Sequence, residues 1–488
     1  MASAIDIVSS DQLATADQLP ATPFYLRIDV DKEELWLCQK IYRHLPKKRL
    51  VLKLHRASTT VVGKLFYRKK DYDREIRGQK WLRNKGFLTP KVSHLREVDS
   101  QHSYKSWLVV YEHIDTVSVA TAMLDMTIGA QQKLLLRCCQ IVAKMHALGL
   151  YQDDIHLDNF LYDHDKIWIV DSASIKNNNA PLSKKLALNN LGLLLAQIPT
   201  EKRPNIAEAC RLYGDIYDYF IIKSAELTSA IMRMQQSRWS HYKKKLSRNC
   251  TEFWVAKNNT ILTIVRKDHL SDELLNKLKN VDQWMEQGSQ LKGGNTATVV
   301  KVEGNGKSYV IKRYNIKNWR HAISRSLRPT RGWAAWHNGN YLRFNEISTP
   351  LPVALVEERF GFIRKRAWLI TDYANGIDLL TAARSTTTDT NLLDPGQLPS
   401  LMADLIAQLV TANTSHGDMK ATNFIVTEKG IQIIDLDAMQ IHPSHAKTTK
   451  AIKLDIDRLL RNWDELNIKQ NFTAALQATP GIDFITDK

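Results

Sequence analysis

Cysteine is scarce in this chain, and its distribution excludes a disulfide framework. Only five of the 488 residues are cysteines, an odd number, and no two of them form a CxxC pair. This usage is typical of a protein in a reducing compartment rather than of a secreted disulfide scaffold. We interpret the five as mostly core thiols: Cys38, Cys138, Cys139, Cys210 and Cys250.

Long hydrophobic runs are also missing. No stretch reaches the roughly 18 apolar residues that a membrane-spanning helix requires. The N-terminal sequence MASAIDIVSSDQ has neither the basic start nor the apolar core of a signal peptide. We therefore expect a cytoplasmic protein without a membrane span. Its 44% apolar and 24% charged residues are ordinary for a globular protein, and its length allows two or more domains.

Acidic residues are outnumbered, 51 against 68 lysines and arginines, which gives a net charge of +17. Such a charge attracts polyanions but does not choose among nucleic acid, an anionic membrane and a phosphorylated substrate. No recognition helix, zinc finger or stacking platform accompanies the basic residues in the sequence. A specific nucleic-acid partner is therefore not expected.

The basic residues concentrate in two segments, which are either solvated helix faces or peripheral contacts with an anionic membrane surface. Trp239, Tyr242 and Trp319 lie among these bases, and such aromatic side chains suit a lipid headgroup layer. The bases are Arg233, Arg238, Lys243, Lys244, Lys245 and Arg248 in the first segment, and Lys317, Arg320, Arg325, Arg328 and Arg331 in the second.

A spaced set of polar residues occurs twice in the chain. The set consists of an aspartate, an asparagine 5 positions later and a second aspartate 12 positions after that. Each member recurs 264 positions downstream, and a repeat of that period indicates a duplicated domain rather than a solenoid. The two copies are Asp154, Asn159 and Asp171, and Asp418, Asn423 and Asp435.

The second copy supplies the groups that phosphoryl transfer needs. Such transfer has a loose transition state, so a catalyst mainly positions the reactants and supplies cations. We predict that Asp418 is the base for the acceptor hydroxyl, and that Asn423 and Asp435 bind Mg²⁺ beside the phosphates of the donor. Lys420 is either a contact of the transferred phosphate or a solvated loop lysine. The same parts in the first half are assigned to Asp154, Asn159 and Asp171.

A candidate nucleotide-binding hairpin precedes the second copy. The segments LKGGNTATVVKV and GNGKSYVIKRY read as two strands joined by a Gly/Asn turn. Gly293 and Gly294 are either an ordinary turn or a place where backbone amides approach phosphates. Lys312 is either an edge-strand lysine that faces water or the lysine that holds the α- and β-phosphates.

The first half offers corresponding strands in RLVLKLHR and VVGKLFYR, without a glycine-rich turn. Lys64 takes the place of Lys312. Glu75, on the helical segment that follows, is the partner that would orient this lysine through an ion pair. With a shift of 260 positions Glu75 falls on Ala335, so the second half lacks the acidic partner at the expected place.

An apolar strand then ends at an acidic residue in each half, at Glu112 and at Asp372. There we expect the hinge between two lobes, whose backbone would hydrogen-bond the adenine of the nucleotide. Helices with apolar residues at intervals of three and four lead on to the catalytic segments. We therefore predict a nucleotide-binding cleft between the two lobes of each half.

Two residues near the paired carboxylates have structural interpretations. His416, two positions before Asp418, is predicted to hold the catalytic loop by bonding to backbone, and Gln152 stands at that place in the first half. Asp437 is either a neighbour of the metal site or a helix cap, and capping is the favoured interpretation.

The run HGDMKATN followed by IIDLDA resembles the catalytic segment of the protein-kinase-like superfamily. More narrowly, GKLFYRKKDYDREIRGQKWLRNKGFLTPKV, RSLRPTRGWAAW and STPLPVAL resemble the lipopolysaccharide kinase family (Kdo/heptose kinase, WaaP-like) in a tandem form. The resemblance spans roughly residues 50–240 and 285–470. It implies an α+β fold of two tandem protein-kinase-like bilobal domains, each with a small antiparallel β N-lobe and a compact, mainly helical C-lobe.

The resemblance also implies a function. It implies an ATP- and Mg²⁺-dependent kinase that phosphorylates a sugar hydroxyl, heptose above all, of the lipopolysaccharide core or another lipid-linked glycan in a Gram-negative bacterium. Such a protein would be cytoplasmic, in peripheral contact with the anionic inner-membrane surface. We expect a first domain at 20–245, a second domain at 286–488, and between them a segment at 246–285 that either connects the domains or starts the second N-lobe. This segment reads as helical in DELLNKLKNVDQWMEQG.

Other functions remain open, because each half departs from the kinase pattern in its own way. We expect the second half to be catalytic, and the first to be a second kinase or a retained binding domain. A tandem pseudokinase pair could bind nucleotide or glycolipid as a scaffold in envelope assembly, and the HGD form also suits a small-molecule kinase. A protein kinase is disfavoured, because only 53 residues follow Asp435 and no APE motif follows either metal aspartate.

Overall fold

A computed structural model shows a chain that divides into two compact units, Met1–Gln236 and Ser237–Lys488. The boundary falls within one helix, Ser224–Lys243. The α+β fold class predicted from the sequence is confirmed. The structure describes residues 5–15, 19–29, 34–56, 58–98, 105–294, 297–315, 329–361, 363–385 and 393–482.

The first unit begins with a seven-stranded sheet. Its strands are β1 Ile7–Val8, β2 Phe24–Asp29, β3 Glu34–Leu45, β4 Arg49–Arg56, β5 Thr59–Phe66, β6 Val92–Val98 and β7 Ser106–Glu112. They follow the order β1-β2-β3-β4-β5-β7-β6, and all neighbours are antiparallel except β1 and β2. The alternation in β4 explains its place, because Leu50, Leu52 and Leu54 are fully buried whereas Arg49, Val51 and Lys53 are half-buried.

Helices and short hairpins complete the first unit. The helices are α1 Ser10–Thr15, α2 Lys69–Asn84, α3 Val119–Ala122, α4 Ile128–Ala147, α5 Lys184–Leu195, α6 Ile206–Gly214 and α7 Ser224–Lys243. The short strands are β8 Val117–Ser118, β9 Leu150–Gln152, β10 Phe160–Asp163, β11 Lys166–Ile169 and β12 Ile175–Asn177. Strands β8, β10 and β11 form one small sheet, and β9 pairs with β12.

Helix α4 is the centre of the helical core of this unit. It starts at Thr127, whose hydroxyl accepts a hydrogen bond from the N–H of Ala130 and so caps the helix. Its inner face includes Cys138 and Cys139, which are completely buried, and burial raises the pKa of the Cys138 thiol to about 12. Such thiols are inert packing groups, as the sequence predicts.

The second unit also contains a seven-stranded antiparallel sheet. Its strands are β13 Phe253–Lys257, β14 Ile261–Arg266, β15 Ser289–Lys292, β16 Ala297–Gly304, β17 Lys307–Tyr314, β18 Pro352–Phe360 and β19 Ile363–Asp372. They follow the order β13-β14-β18-β19-β17-β16-β15. The segment 246–285, expected to connect the domains or to start the second N-lobe, thus provides two strands of this sheet.

Helices and short strands follow in the second unit as well. The helices are α8 Asp272–Lys279, α9 Val281–Glu286, α10 Arg331–Phe344, α11 Leu379–Arg384, α12 Leu398–Thr411, α13 His445–Leu460 and α14 Leu466–Ala478. The short strands are β20 Ile377–Asp378, β21 Thr414–Ser415, β22 Phe424–Thr427, β23 Gly430–Ile433 and β24 Gln440–Ile441. The single helix read from DELLNKLKNVDQWMEQG is two helices, because the side chain of Asn280 caps α9 by accepting from the N–H of Gln283.

The two units repeat one topology. Strands β3, β4, β5, β7 and β6 of the first unit have the same order in their sheet as β15, β16, β17, β19 and β18 of the second. In both units one helix, α2 or α10, is inserted between the third and fourth of these strands along the chain. The remaining strands of the large sheets differ: β2 extends the first sheet beside β3, whereas β14 extends the second beside β18.

Candidate active sites

The second aspartate of each repeated set lies in an unusual turn. Asp171 and Asp435 each follow a short hairpin by two residues and adopt the left-handed conformation, with φ 60°, ψ 57° and φ 60°, ψ 56°. This conformation is uncommon for residues other than glycine, and such outliers cluster at functional sites. Each aspartate opens a 3-10 turn, Ser172–Ser174 or Leu436–Ala438. The repeat in the sequence is therefore also a repeat of backbone conformation.

Hydrogen bonds join the three members of the set in the second unit. The side-chain Nδ2 of Asn423 donates to the carbonyl of Asp418 at 2.8 Å. The N–H of Ile434, which precedes Asp435, donates to the carbonyl of Asn423 at 2.9 Å. The loop with Asp418 and the turn with Asp435 are thus tied together through Asn423.

This arrangement fits a magnesium ion. The bond from Nδ2 leaves the amide oxygen of Asn423 as the atom that a metal would take, and Asp435 adds a carboxylate. Amide and carboxylate oxygens are ligands that Mg²⁺ accepts, and it completes its coordination with water and substrate phosphates. Among the described residues no three His, Cys, Asp or Glu side chains cluster as a metal site. The donor set therefore suits a phosphate-bridged metal rather than a cage made of protein alone.

Two cations hold the predicted base. Lys420 Nζ lies 3.1 Å from one carboxylate oxygen of Asp418, and Arg458 lies 3.1 Å from the other. Arg458 also donates to the carbonyl of Gly417 at 2.7 Å, which ties α13 to the loop. The carboxylate of Asp418 remains about one-third exposed, so a substrate hydroxyl can reach it.

Hydrogen bonds made by a histidine and by a buried carboxylate also hold the loop that contains Asp418. As the sequence predicts, His416 bonds to backbone: its Nε2 donates to the carbonyl of Ile434 at 2.9 Å. The carboxylate of Asp455, on α13, accepts from the N–H of His416 at 2.7 Å and from that of Gly417 at 3.1 Å. Burial raises the pKa of Asp455 despite these backbone donors. Sequence reasoning missed Asp455; its signal is an acidic residue among the apolar positions of IKLDIDRLL.

Lys312, on β17, points at the turn aspartates. Its Nζ forms an ion pair with Asp435 and lies 3.8 Å from Asp437. Asp437 forms an ion pair with Arg331, the first residue of α10. The cap interpretation for Asp437 is wrong, since it is the middle residue of the turn Leu436–Ala438 and Asp435 holds the cap position. Arg331, one of the bases of the second basic segment, therefore belongs to this site.

The two turn carboxylates have different affinities for a proton. Burial raises the pKa of Asp435, but the hydrogen bond with Asp437 and the charge of Lys312 outweigh burial and lower it overall. Burial and the adjacent Asp435 raise the pKa of Asp437. Arg331 and Lys312 partly offset that increase. Lys312 thus lowers the pKa of both carboxylates, and Arg331 lowers that of Asp437.

The glycine pair lies in a hairpin loop. Gly293 and Gly294 fall between β15 and β16, where both are exposed, and residues 295–296 lie outside the described ranges. Strand β16 leads through its hairpin to β17 and Lys312. The loop between β15 and β16 is compatible with both interpretations of this pair, an ordinary turn and a place where backbone amides approach phosphates.

The predicted hinge residue of the second unit ends a strand. Asp372 closes β19, opposite Tyr309 of β17, and its N–H donates to the carbonyl of Leu351 at 3.0 Å. Burial raises the pKa of its carboxyl more than nearby His269 and Lys307 lower it. Glu112 has the same place in the first unit, where it closes β7. Its N–H donates to the carbonyl of Lys91 at 3.0 Å.

The first unit contains the lysine–glutamate pair expected from its sequence. Lys64 Nζ, on β5, lies 2.6 Å from Glu75 Oε1, on α2. Glu75 is fully buried and also accepts from the hydroxyl of Tyr111 at 2.6 Å and from the N–H of Ala173 at 2.9 Å. The glutamate therefore links the helix, the central sheet and the turn after Asp171.

An arginine that was not predicted from the sequence forms an ion pair with the turn aspartate of the first unit. Arg49, on β4, donates to Asp171 at 2.6 Å, and Lys64 lies 3.8 Å from the same oxygen. Burial raises the pKa of Asp171, but the charges of Lys64 and Arg49 outweigh burial and hold it at about 2. No local signal distinguishes Arg49, which lies 122 positions from Asp171.

The loop of the first unit keeps its backbone pattern but changes its side chains. Asn159 donates to the carbonyl of Asp154 at 2.9 Å, as Asn423 does in the second unit. Gln152 replaces the histidine and donates to the carbonyl of Val170 at 3.0 Å. Asp154 contacts His156 at 3.3 Å, and this hydrogen bond lowers the pKa of Asp154. His156 stands where the second unit has a lysine.

The aromatic residues expected at a lipid surface have other neighbours. The ring of Trp239 contacts those of Tyr341 and Phe344, at centroid distances of 4.7 Å and 5.3 Å. Tyr242 contacts Phe344 and Phe253. Both side chains are half-buried and pack on rings of the second unit, which favours a packing role over contact with lipid. Trp319, Lys317, Arg320, Arg325 and Arg328 lie outside the described residues.

Comparison with known proteins gives a family match and similarity to solved structures. Residues 277–479 match the family described as the lipopolysaccharide kinase (Kdo/WaaP) family. A solved structure titled "WaaP in complex with acyl carrier protein" is 16% identical, and the match covers 43% of this chain and 86% of that chain with a TM-score of 0.31. No curated protein matches.

Within the described ranges, no helix combines the length and the apolar character that crossing a bilayer requires. The family match covers the loop with Asp418, the turn with Asp435 and the strand with Lys312. Members of this family are kinases, so the match implies phosphotransfer chemistry. Residues 277–479, which contain this site, are therefore similar to the lipopolysaccharide kinase (Kdo/WaaP) family.

Proposed function

We propose that this chain is an ATP- and Mg²⁺-dependent phosphotransferase whose second unit phosphorylates a sugar hydroxyl of the lipopolysaccharide core, with heptose as the expected sugar. One observation carries the proposal. Within the segment that matches the kinase family, one loop and one turn bear Asp418, Asn423 and Asp435, and Lys312 pairs with that turn. The topology common to both units supports tandem bilobal kinase-like domains.

Each residue has a distinct part in the proposed reaction. Asp418 takes the proton of the attacking sugar hydroxyl, and Lys420 and Arg458 orient its carboxylate. Lys312 holds the α- and β-phosphates. Asn423 and Asp435 would hold Mg²⁺, which would supply positive charge near the phosphate oxygens. Because the transition state is loose, this positioning and neutralisation account for most of the catalysis that the protein provides.

The nucleotide would lie between the hairpin loop and the hinge. Gly293 and Gly294, in the loop between β15 and β16, would cover the phosphates with backbone N–H groups. The backbone at Asp372 would hydrogen-bond the adenine. Lys312 lies on β17, the strand that pairs with β16 on one side and with β19 on the other, which suits a lysine that reaches the phosphates between these two contacts.

The contacts around the base favour the second unit as the catalytic one. Asp418 has two cationic partners, Lys420 and Arg458. With the shift of 264 positions, His156 and Leu194 stand at their places in the first unit. The first unit therefore has a weaker means of orienting Asp154, which is largely exposed.

The first unit suits a binding domain for nucleotide or glycolipid. Its carboxylate Asp171 is already neutralised by Arg49 and Lys64, so a metal ion there would compete with two cations. The pair of Lys64 and Glu75 is intact and could still hold phosphates without a metal. This is the observation that favours the pseudokinase interpretation for the first unit alone.

The proposed acceptor also suggests where the protein works. A lipid-linked glycan is reached at the cytoplasmic face of the inner membrane, which is anionic. Arg233, Lys243, Lys244 and Arg248 are exposed along and after α7. Each basic residue near an anionic surface contributes about 1 kcal/mol of attraction, so four suffice for reversible peripheral contact.

Transfer of labelled phosphate from ATP tests the proposal. The acceptors are dephosphorylated lipopolysaccharide core, free heptose and choline, with and without Mg²⁺. We expect Mg²⁺-dependent labelling of the core by the wild type, and a loss of at least about 10³-fold in Asp418→Asn, which keeps the shape but not the base. Labelling of choline in preference to the core would favour a small-molecule kinase, and no transfer to any acceptor would contradict the proposal.

A further inference from the structure

The two units surround the lysine and the turn aspartate with different charged residues. Each has a lysine on the third strand of the repeated sheet order and an aspartate in a left-handed turn, and each adds one more cation and one more carboxylate. In the first unit these are Arg49 and Glu75, and in the second they are Arg331 and Asp437. Both clusters contain two positive and two negative side chains, but the extra carboxylate comes from different elements.

Three sequence differences are explained by one relocation of that carboxylate. The buried glutamate of α2 becomes Ala335 on α10 with the shift of 260 positions, and Asp71 at the start of α2 becomes Arg331. In the turn, Ala173 becomes Asp437 with the shift of 264 positions. At these positions the helix of the second unit thus lacks two acids of the first and has one base instead, while the turn that faces it has one additional acid.

The geometry of the second unit agrees with this relocation. The side chain of Asp437 is only 6% exposed and lies 3.8 Å from Lys312 Nζ. Its other partner is Arg331, and both cations lie over the ring of Tyr314, at 5.1 Å and 5.5 Å from its centroid. The carboxylate therefore contacts two cations, and both cations lie over the same buried aromatic ring.

The start of α10 is itself fixed, so Arg331 has a defined position. Thr330 caps the helix by accepting from the N–H of Trp333, and its hydroxyl donates to Glu357 at 2.7 Å. Glu357 is fully buried on β18 and is compensated by Arg359 at 2.8 Å. An arginine in the first turn of a helix is disfavoured by the helix dipole, and an adjacent carboxylate offsets that cost.

We propose that Asp437 is the positioning carboxylate for Lys312, replacing the helix glutamate of the first unit, and that Arg331 holds Asp437 in place. This inference rests on the proposed function, because Lys312 needs positioning only if it holds nucleotide phosphates. It also removes the one defect of the second unit that its sequence indicates, the missing acidic partner of the lysine.

The competing role for Asp437 is that of a metal ligand beside Asp435. The two roles differ in what the variant Asp437→Ala does. A positioning residue acts through Lys312, so its loss lowers turnover without changing the Mg²⁺ concentration required. A ligand acts on the metal, so its loss raises that concentration whether or not Lys312 is present.

A double-mutant cycle on the full chain tests the proposal. Single-turnover phosphate transfer to dephosphorylated core is measured for the wild type, Lys312→Ala, Asp437→Ala and the double variant, across a titration of Mg²⁺. We expect Asp437→Ala to slow transfer about 10- to 100-fold in the wild-type background. In the Lys312→Ala background it should cost less than about twofold, because coupled residues are non-additive. Asp437→Glu should recover part of the loss.

Two further measurements make the outcome decisive. Glu465→Ala is the matched control, since it breaks a half-exposed ion pair with Arg384 in the same unit and should leave transfer unchanged. Multiplicative losses in the cycle, or a large shift in the Mg²⁺ requirement of Asp437→Ala, would overturn the proposal. The same cycle on ATP affinity needs no acceptor. Binding that couples Lys312 to Asp437 without any transfer would contradict the proposed function but support the positioning role, and a wild type that binds no ATP would contradict both.

Discussion

Positions 152 and 416 hold different side chains that make the same contact. Gln152 donates to the carbonyl of Val170 at 3.0 Å, and His416 donates to that of Ile434 at 2.9 Å. In both units this carbonyl directly precedes the turn aspartate. His416 adds one contact, because its Nδ1 accepts from the N–H of Asp418 at 3.3 Å. The common requirement is thus a donor to the carbonyl, and the histidine adds a link to the base.

This comparison predicts how the second unit tolerates substitution at His416. His416→Gln should keep the donor and reduce kcat by less than about 10-fold. His416→Leu leaves the partly buried carbonyl of Ile434 without this donor, at a cost of about 1–3 kcal/mol, and should reduce kcat by up to about 100-fold. Steady-state transfer at saturating ATP measures both. Equal losses in the two variants would mean that the imidazole has a role other than this hydrogen bond.

A buried histidine of the first unit predicts a pH dependence of stability. His146 is fully buried between Tyr213 and Asn190, at 2.7 Å and 3.0 Å, and burial lowers its pKa from 6.5 to about 4. The unfolded chain therefore takes up a proton near pH 6.5, whereas the folded chain does so only near pH 4. The free energy of unfolding should fall as the pH drops between these values, by about 3 kcal/mol at most.

Thermal unfolding of the full chain at several pH values in this interval checks the prediction. His146→Gln removes the titrating group, so the midpoint of the variant should depend less steeply on pH than that of the wild type. His156→Gln is the matched control, because His156 is nearly half-exposed and its removal should leave the slope almost unchanged. Equal slopes for the wild type and His146→Gln would contradict the assignment.

The residues that could be predicted from the sequence are those with a local spacing or a repeat. Asp418, Asn423 and Asp435 form a motif within one short segment, and the structure joins them by hydrogen bonds. Arg49 and Arg331 could not be predicted, since their partners lie 122 and 106 positions away. Ion pairs between distant segments depend on the sheet and helix packing, which a spacing does not encode.

At the scale of elements, the approach of one helix to one turn differs between the units. In the first unit α2 comes so close that a Cβ on Gly78 would lie 1.9 Å from the carbonyl oxygen of Ser172. In the second unit Asn338 stands at the corresponding position on α10. Its Nδ2 donates to the carbonyls of Leu436 and Met439 at 2.8 Å and 3.0 Å. A direct contact has been replaced by a side chain that bonds to both ends of the turn.

Asn338→Ala should therefore loosen the turn that bears Asp435. Two buried carbonyls lose their donor, which predicts a loss of about 1–3 kcal/mol in the free energy of unfolding and a fall in phosphate transfer. Chemical denaturation and the transfer assay measure these effects. Asn345→Ala, which removes a bond within the same helix at its exposed end, should leave transfer unchanged. Full activity of Asn338→Ala would show that the turn keeps its geometry without this contact.

Strands could be predicted from the sequence where apolar and polar residues alternate clearly. The strands read from RLVLKLHR and VVGKLFYR are present as β4 and β5. Strand β15 was not predicted, because Ser289–Lys292 is exposed throughout and has no alternation to detect. The break between α8 and α9 was also missed, since the capping role of Asn280 depends on its backbone conformation and not on its residue type alone.

At the scale of the whole molecule, duplication has produced two units with one topology and different sites. The second unit matches a kinase family and orients its base with two cations. The first unit has an intact Lys64–Glu75 pair and a turn aspartate that is bound by Arg49. We therefore propose that the second unit is catalytic and that the first is a binding domain, a division that the repeat in the sequence could not decide.

The most direct test of this division compares the two bases in one assay. Mg²⁺-dependent transfer of labelled phosphate from ATP to dephosphorylated lipopolysaccharide core is measured with the wild type, Asp154→Ala, Asp418→Ala and the double variant. We predict that Asp418→Ala abolishes transfer and that Asp154→Ala retains it, so the double variant equals Asp418→Ala. Loss of transfer in Asp154→Ala with retention in Asp418→Ala would contradict the assignment of catalysis to the second unit.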